Sequence, residues 1–139
     1  MVKMNNAERQ TLIDLAREAR ERAYAPYSDY KVGAALRSAS GRIFTGCNVE
    51  SAAYPTGMCA ERVAVFKAVS DGERLFDAIA VVTSNGGMPC GACRQVLAEF
   101  GLETVVLIAD ATGRLIEESS VGKLLPGAFT PADLPRRES

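Results

Sequence analysis

The chain has 139 residues, 47% hydrophobic and 24% charged, with a net charge of −1, 6% aromatic content and no tryptophan, a balance that leaves no basic stripe or stacking platform for a polynucleotide. It contains no histidine, which removes His-ligated metals, Ser-His-Asp triads and Cys-His nucleophile pairs from consideration. A chain of this length buries about two-thirds of its unfolded surface, so its cysteines need not form a disulfide framework, and its longest apolar runs, such as Ala78 to Val82, are far short of the ~18 residues a membrane span requires.

One domain is expected over 1–139, without repeats or an internal linker. Apolar residues at Leu12, Leu15, Ala16, Ala19 and Ala23 have helical spacing, predicting a helix from Asn6 to Ala23 that opens on an Asn5/Glu8 capping box and is ended by Ala25-Pro26-Tyr27-Ser28. Val32 to Arg37 and Arg42 to Cys47 read as strands of an antiparallel hairpin joined by a Ser-Gly turn. After the turn-rich Tyr54-Pro55-Thr56-Gly57, a second helix is predicted from Met58 to Ser70. Ala78 to Val82 and Thr104 to Ala109 read as strands buried on both faces, with a helix from Gly91 to Phe100 between them; this order implies a parallel crossover. Asp110-Ala111-Thr112-Gly113 turns the chain back into an antiparallel strand from Arg114 to Glu117. The sum is an α/β fold, a three-layer αβα sandwich around a mixed five-stranded sheet, with a flexible tail over 135–139.

The chemistry concentrates in Met58-Cys59-Ala60-Glu61-Arg62 and Pro89-Cys90-Gly91-Ala92-Cys93. Cys90 and Cys93, separated by two residues in the first turn of a helix, lie on one side and can share a tetrahedral ion at about 2.3 Å each. Cys59 must then come from elsewhere in the fold. Three thiolate ligands leave a fourth position open, where zinc lowers the pKa of water to about 7. Glu61, two residues beyond Cys59, can overlook that position as a general acid/base without ligating the metal. The alternative is a closed four-thiolate site using Cys47, but that residue lies outside any compact pair, and such a site has no use for Glu61. A small buried apolar residue at a strand end is the simpler reading of Cys47. Three thiolates leave the site at a formal charge of about −1, which Arg62 could offset as a donor to sulfur; an ordinary surface arginine is the alternative. Both motifs fall at helix N-termini, where the dipoles favour thiolates. Asn48 and Glu50, two apart at a strand end, share a face if the strand geometry persists, and taken alone read as a solvated pair.

In this order, the two cysteine motifs together with Ala25-Pro26-Tyr27-Ser28, Val32-Gly33-Ala34-Ala35, Gly46-Cys47-Asn48-Val49-Glu50, Cys90 to Val96 and Leu124-Leu125-Pro126-Gly127-Ala128-Phe129 resemble the small, three-cysteine cytidine deaminases over nearly the whole chain. The resemblance implies hydrolytic deamination of cytidine and deoxycytidine in pyrimidine salvage, one zinc per subunit on Cys59, Cys90 and Cys93, and a cytoplasmic homotetramer. It further implies that Glu61 carries the protons, that Asn48 and Glu50 grip the ribose, and that Ala60 meets the base through its backbone. Tyr30 stands where many relatives have phenylalanine near the sugar and base. Phe129 is implied to enter a neighbouring subunit's pocket, and Tyr54 to line a neighbouring site. The resemblance also supports the role of Arg62 as a donor to the thiolates. A carboxylate at the 3′-hydroxyl should repel a 3′-phosphate, which favours free nucleosides over nucleic acid.

Overall fold

The protein is described from a computed structural model, which covers residues 1–135; of the tail expected at 135–139, all but Pro135 lies outside the described residues. Helix α1 spans Asn6–Arg20, and its expected capping box is present: Asn5 Oδ1 accepts from the Glu8 amide at 2.8 Å and Glu8 accepts from the Asn5 amide at 3.1 Å. The helix ends three residues before the predicted Ala23. Beyond it the backbone is claimed by another pairing: the Tyr24 amide donates to the Asn48 carbonyl at 2.9 Å, and the Glu50 amide donates to the Tyr24 carbonyl at 2.8 Å.

Five strands follow the predicted order: β1 (Gly33–Ser38), β2 (Ile43–Cys47), β3 (Phe76–Thr83), β4 (Val105–Asp110) and β5 (Leu115–Ser120), arranged β2-β1-β3-β4-β5. β1 is antiparallel to both β2 and β3, β3 and β4 are parallel, and β5 returns antiparallel to β4. Helix α2 spans Ala60–Ser70 and α3 spans Gly91–Glu99. Both β3 and β5 run longer than predicted. A four-residue helix α4 (Val121–Leu124), capped by Ser120, and 3₁₀ turns at Tyr54–Thr56 and Pro131–Asp133 were not legible from apolar spacing, being too short to show a period.

The period-2 alternation of the strands divides the core in two. Leu36, Ile79, Val81, Val106 and Ile108 face α2 and α3, whereas Ala35, Ala78, Ala80, Val82 and Leu107 face Leu12, Ile13 and Ala16 of α1. Glycine sets how closely the helices approach. A Cβ at Gly33 would stand 2.0 Å from the Ala16 carbonyl oxygen, and one at Gly46 would stand 2.4 Å from the Ala60 carbonyl oxygen and 2.7 Å from the Ala64 nitrogen. The Gly46 contact fixes the N-terminal turn of α2 against β2. Arg37, paired with Glu8 at 2.8 Å and Asp77 at 3.3 Å, ties the start of α1 to the sheet. Among the described residues no helix is long and apolar enough to cross a membrane.

Candidate active site

Cys59 and Cys90 are the N-cap residues of α2 and α3, both with extended backbone and neither with its side chain engaged in capping. Their sulfurs are therefore free for other work. Cys93, in the first turn of α3, is fully buried, and the three ligand atoms lie within 4.8 Å of one another, the only such grouping among the described residues. The Cys59–Cys90 and Cys90–Cys93 sulfur separations are 3.9 and 3.5 Å. Tetrahedral coordination with bonds of about 2.3 Å puts sulfurs roughly 3.8 Å apart, so the three thiols fit zinc with little adjustment. Cys47, half-buried at the end of β2, stands outside the group, which disposes of the four-thiolate alternative.

Arg62, one helical turn on from Cys59, donates through Nη2 to Cys59 Sγ at 3.3 Å. Its guanidinium pKa is raised first by that hydrogen bond. The Cys59 thiol is pulled down to about 5, first by the hydrogen bond it accepts from Cys93, with Arg62 adding to the effect against the opposing influence of burial. Cys93, the donor, is pushed upward by the same hydrogen bond and by burial. Even before a metal arrives, the cluster is thus arranged to hold a thiolate at Cys59. Glu61 is only 5% exposed, and burial raises its carboxyl above the usual range.

These groups open onto a cavity of about 830 Å³ whose lining joins Cys59, Glu61, Arg62 and Cys90 with Asn48, Glu50, Tyr30 and Tyr54. That volume suits a small ligand. Glu50 is held by the segment around Tyr27: the Tyr27 and Ser28 amides donate to Oε1 at 2.9 and 3.1 Å, and the Ser28 hydroxyl donates to Oε2. The Ser28 hydrogen bond is the main reason the Glu50 carboxyl titrates below the ordinary range. Asn48, largely buried, accepts from the Val32 amide and donates to the Tyr30 carbonyl, both at 2.8 Å. One Asn48 amide proton remains uncommitted.

The remaining predicted residues separate. Tyr30 lines the cavity with its hydroxyl turned to Asn85 Oδ1 at 2.8 Å. Tyr54, 74% exposed, stands on the rim of its own chain's cavity, edge-on to Tyr27 at 5.7 Å between ring centroids. Ala60 is fully buried and offers no side chain to the cavity. Phe129, 56% exposed, lies outside this cavity altogether, its carbonyl accepting from Gln95. Ser28, Met58, Thr83 and Met88 join the lining without having been named as site residues. Ser28 and Glu50 are 22 residues apart, a pairing that no local pattern announces.

Comparison with known proteins agrees with this geometry. Residues 6–109 match the family model described as the cytidine and deoxycytidylate deaminase zinc-binding region. The chain is 52% identical over 127 residues to a cytidine deaminase of Sporosarcina psychrophila, covering 90% of this chain and 93% of that one. It is 30% identical over 141 residues to a blasticidin-S deaminase of Bacillus cereus, covering 93% of this chain and 99% of that protein. A crystal structure of cytidine deaminase from Burkholderia pseudomallei superposes with a TM-score of 0.82 at 48% identity, covering 91% of this chain and all of the other. With three thiols set for one zinc ion, a buried carboxyl beside them and this degree of likeness over most of its length, the chain belongs to the cytidine and deoxycytidylate deaminase family and is a zinc-binding deaminase.

Proposed function

We propose that this protein hydrolyses cytidine and deoxycytidine to uridine and deoxyuridine with release of ammonia, serving pyrimidine salvage in the cytoplasm as a homotetramer of single-domain chains. The observation that carries the reading is the burial of Glu61 in the same cavity wall as Cys59 and Cys90, with the Asn48/Glu50 pair in the same cavity. Cys59, Cys90 and Cys93 would hold the zinc, whose contribution when bound is to supply an activated water beside Glu61. Glu61 takes one proton from the attacking water as its oxygen bonds to C4 and places it on ring N3, then takes the remaining hydroxyl proton and delivers it to the amine as the C4–N bond breaks and the carbonyl forms. A carboxyl kept protonated more readily by burial is suited to carrying protons both ways. Arg62, by donating to Cys59, offsets the excess negative charge of three thiolates.

Glu50, ionised and fixed by the Tyr27-Ser28 segment, accepts from the ribose 3′-hydroxyl, and the free Asn48 proton donates to the sugar. The same carboxylate disfavours a 3′-phosphate, and with a net charge of −1 this supports a free nucleoside over nucleic acid. Ala60 serves through its backbone at the start of α2, and the Tyr30 and Tyr54 rings line the nucleoside's cavity. Phe129, exposed and away from its own cavity, is available to a neighbouring subunit. The likeness to the blasticidin-S deaminase gives a second reading, an amine-bearing nucleoside-like antibiotic, which a substrate panel separates from the first.

The test is the ultraviolet absorbance change on mixing zinc-loaded protein with cytidine, beside Glu61→Gln. Turnover by the parent and its loss in a variant that keeps zinc supports the reading. A zinc-loaded protein inert toward cytidine and deoxycytidine would redirect it to another amine.

A further inference from the structure

The connector between β3 and α3, residues 84–89, has no regular structure, yet it leads directly into Cys90 and contributes Gly87 and Met88 to the cavity wall. Gly86 has φ +72°, so the backbone there takes a turn that favours glycine. What holds it is a relay of hydrogen bonds. The Tyr30 hydroxyl donates to Asn85 Oδ1 at 2.8 Å, the Thr83 hydroxyl donates to the same oxygen at 3.3 Å, and the Gly87 amide donates to Thr83 Oγ1 at 2.8 Å. Thr83, only 2% exposed, anchors the buried end of the relay, whereas Asn85 and Tyr30 carry it out to the exposed face of the cavity. Tyr30 also presses on the connector: a Cβ at Gly87 would lie 2.3 Å from the Tyr30 hydroxyl oxygen but 3.6 Å from the ring carbon that bears it. The clash belongs to the hydroxyl alone.

We infer that Tyr30 is a positioning residue whose hydroxyl, through Asn85 and Thr83, holds the 84–89 connector as one wall of the substrate cavity, and that Gly87 is required because that hydroxyl is there. Tyr30 therefore acts on substrate affinity through the connector, and the hydroxyl is committed to Asn85 instead of the sugar. The inference deepens the nucleoside-deaminase reading and rests on it for its kinetic test.

Three kinetic comparisons follow, each at saturating zinc with cytidine. Tyr30→Phe raises KM about 3- to 10-fold, the range one net hydrogen bond supports, with kcat and zinc content within twofold of the parent. Asn85→Ala does the same, and the double variant is no worse than either single one, because both break one relay. Gly87→Ala raises KM at least tenfold in the parent, but by less than threefold in the Tyr30→Phe background, where the obstructing oxygen is gone. A role confined to stability would move Tm without this split between KM and kcat. A fourth readout needs no substrate: exchange of the Gly87 amide proton, followed by NMR, quickens at least tenfold in Tyr30→Phe. An unchanged KM, additive single variants, an equal penalty for Gly87→Ala in both backgrounds, or unchanged Gly87 exchange would each overturn the inference. Failure of the parent to turn over cytidine would instead overturn the functional reading, and the exchange rates would then decide the relay by themselves.

Discussion

Replacing Gly46 by alanine should damage the metal centre from the opposite side of a helix. The added Cβ would sit 2.4 Å from the Ala60 carbonyl oxygen, 2.7 Å from the Ala64 nitrogen and 3.1 Å from the Val63 Cβ. All but the last are backbone atoms with no rotamer to yield. Ordinary contact begins near 3.4 Å, so the first turn of α2 must retreat by about 1 Å, taking Cys59 and Glu61 with it. Metal–ligand distances tolerate only about 0.2 Å, and a misplacement of about 1 Å at a reacting group can cost on the order of 100-fold in rate. Overpacking of this kind destabilises by roughly 1–3 kcal/mol. With an unfolding entropy near 2.1 cal/mol/K per residue, a chain of 139 residues would lose roughly 3–10 °C in Tm. The assays are thermal denaturation, zinc affinity by chelator competition, and turnover of cytidine. The expected result is a lowered Tm, at least tenfold weaker zinc binding and a fall in kcat of about 100-fold. Gly41→Ala is the control: Gly41 has φ +91° and open space around it in the β1–β2 turn, so alanine there costs backbone strain of order 1 kcal/mol without touching α2. A Gly46→Ala protein that kept its Tm and its zinc, or one that behaved like Gly41→Ala, would refute the argument that this contact sets the site.

Glu61→Gln should lower kcat by about 10²- to 10⁴-fold with zinc content unchanged, measured by absorbance and metal analysis. Because the folded-state pKa of Glu61 is raised, its contribution to stability is complete below the ordinary carboxylate pKa and fades as pH rises through the raised value; the zinc-free glutamine variant should accordingly show a flatter dependence of Tm on pH. Stripping zinc should expose Cys59 to alkylation at a rate that climbs through about pH 5 and is flat at neutrality, ahead of the buried Cys93, with zinc protecting both; mass mapping reads the order. Glu50 has a lowered folded pKa and stays ionised as pH falls below the usual range. Ser28→Ala should therefore move the acid-side rise of KM toward higher pH, which a KM profile from about pH 4 to 8 would detect. Mixing Phe129→Ala subunits with Glu61→Gln subunits should restore part of the activity if Phe129 serves a neighbour's cavity; activity no greater than the sum of the two parents would count against it.

The metal cluster was legible because its information is local. Cys90 and Cys93 share one helical turn, Glu61 and Arg62 lie two and three residues beyond Cys59, and the helices that carry them begin within two residues of the predicted starts. The sheet was legible because β3 and β4 are apolar on both faces while the short β1–β2 and β4–β5 connections permit only antiparallel returns. What escaped was set by distant contacts. The early end of α1 follows from the pairing of Tyr24 with the Asn48–Glu50 segment, a competition for backbone groups that helical periodicity does not register. The extra length of β5 has a similar cause. Its Leu115, Ile116, Glu117 and Glu118 are all exposed at the sheet edge, so pairing to β4 rather than an alternating burial pattern defines it. The tie from Ser28 to Glu50 and the turn of Tyr30 toward Asn85 each join residues more than 20 positions apart. No spacing rule contains them.

The placement of β3 between β1 and β4 also governs when the metal centre can come into being as the chain folds. Cys90 and Cys93 are neighbours in sequence, but Cys59 lies 31 residues before Cys90, on the far side of β3. The pairing that brings α2 alongside α3 joins Ala35 to Ala80 and Ala80 to Leu107, contacts whose loop-closure cost falls early and whose reward comes late. Any partly folded chain in which β1 has not yet found β3 presents two thiols to a metal, not three. Acquisition of zinc in its working coordination is therefore coupled to the most non-local strand pairing of the sheet, and a protein caught before that pairing would hold the ion loosely enough to surrender it to competing thiols.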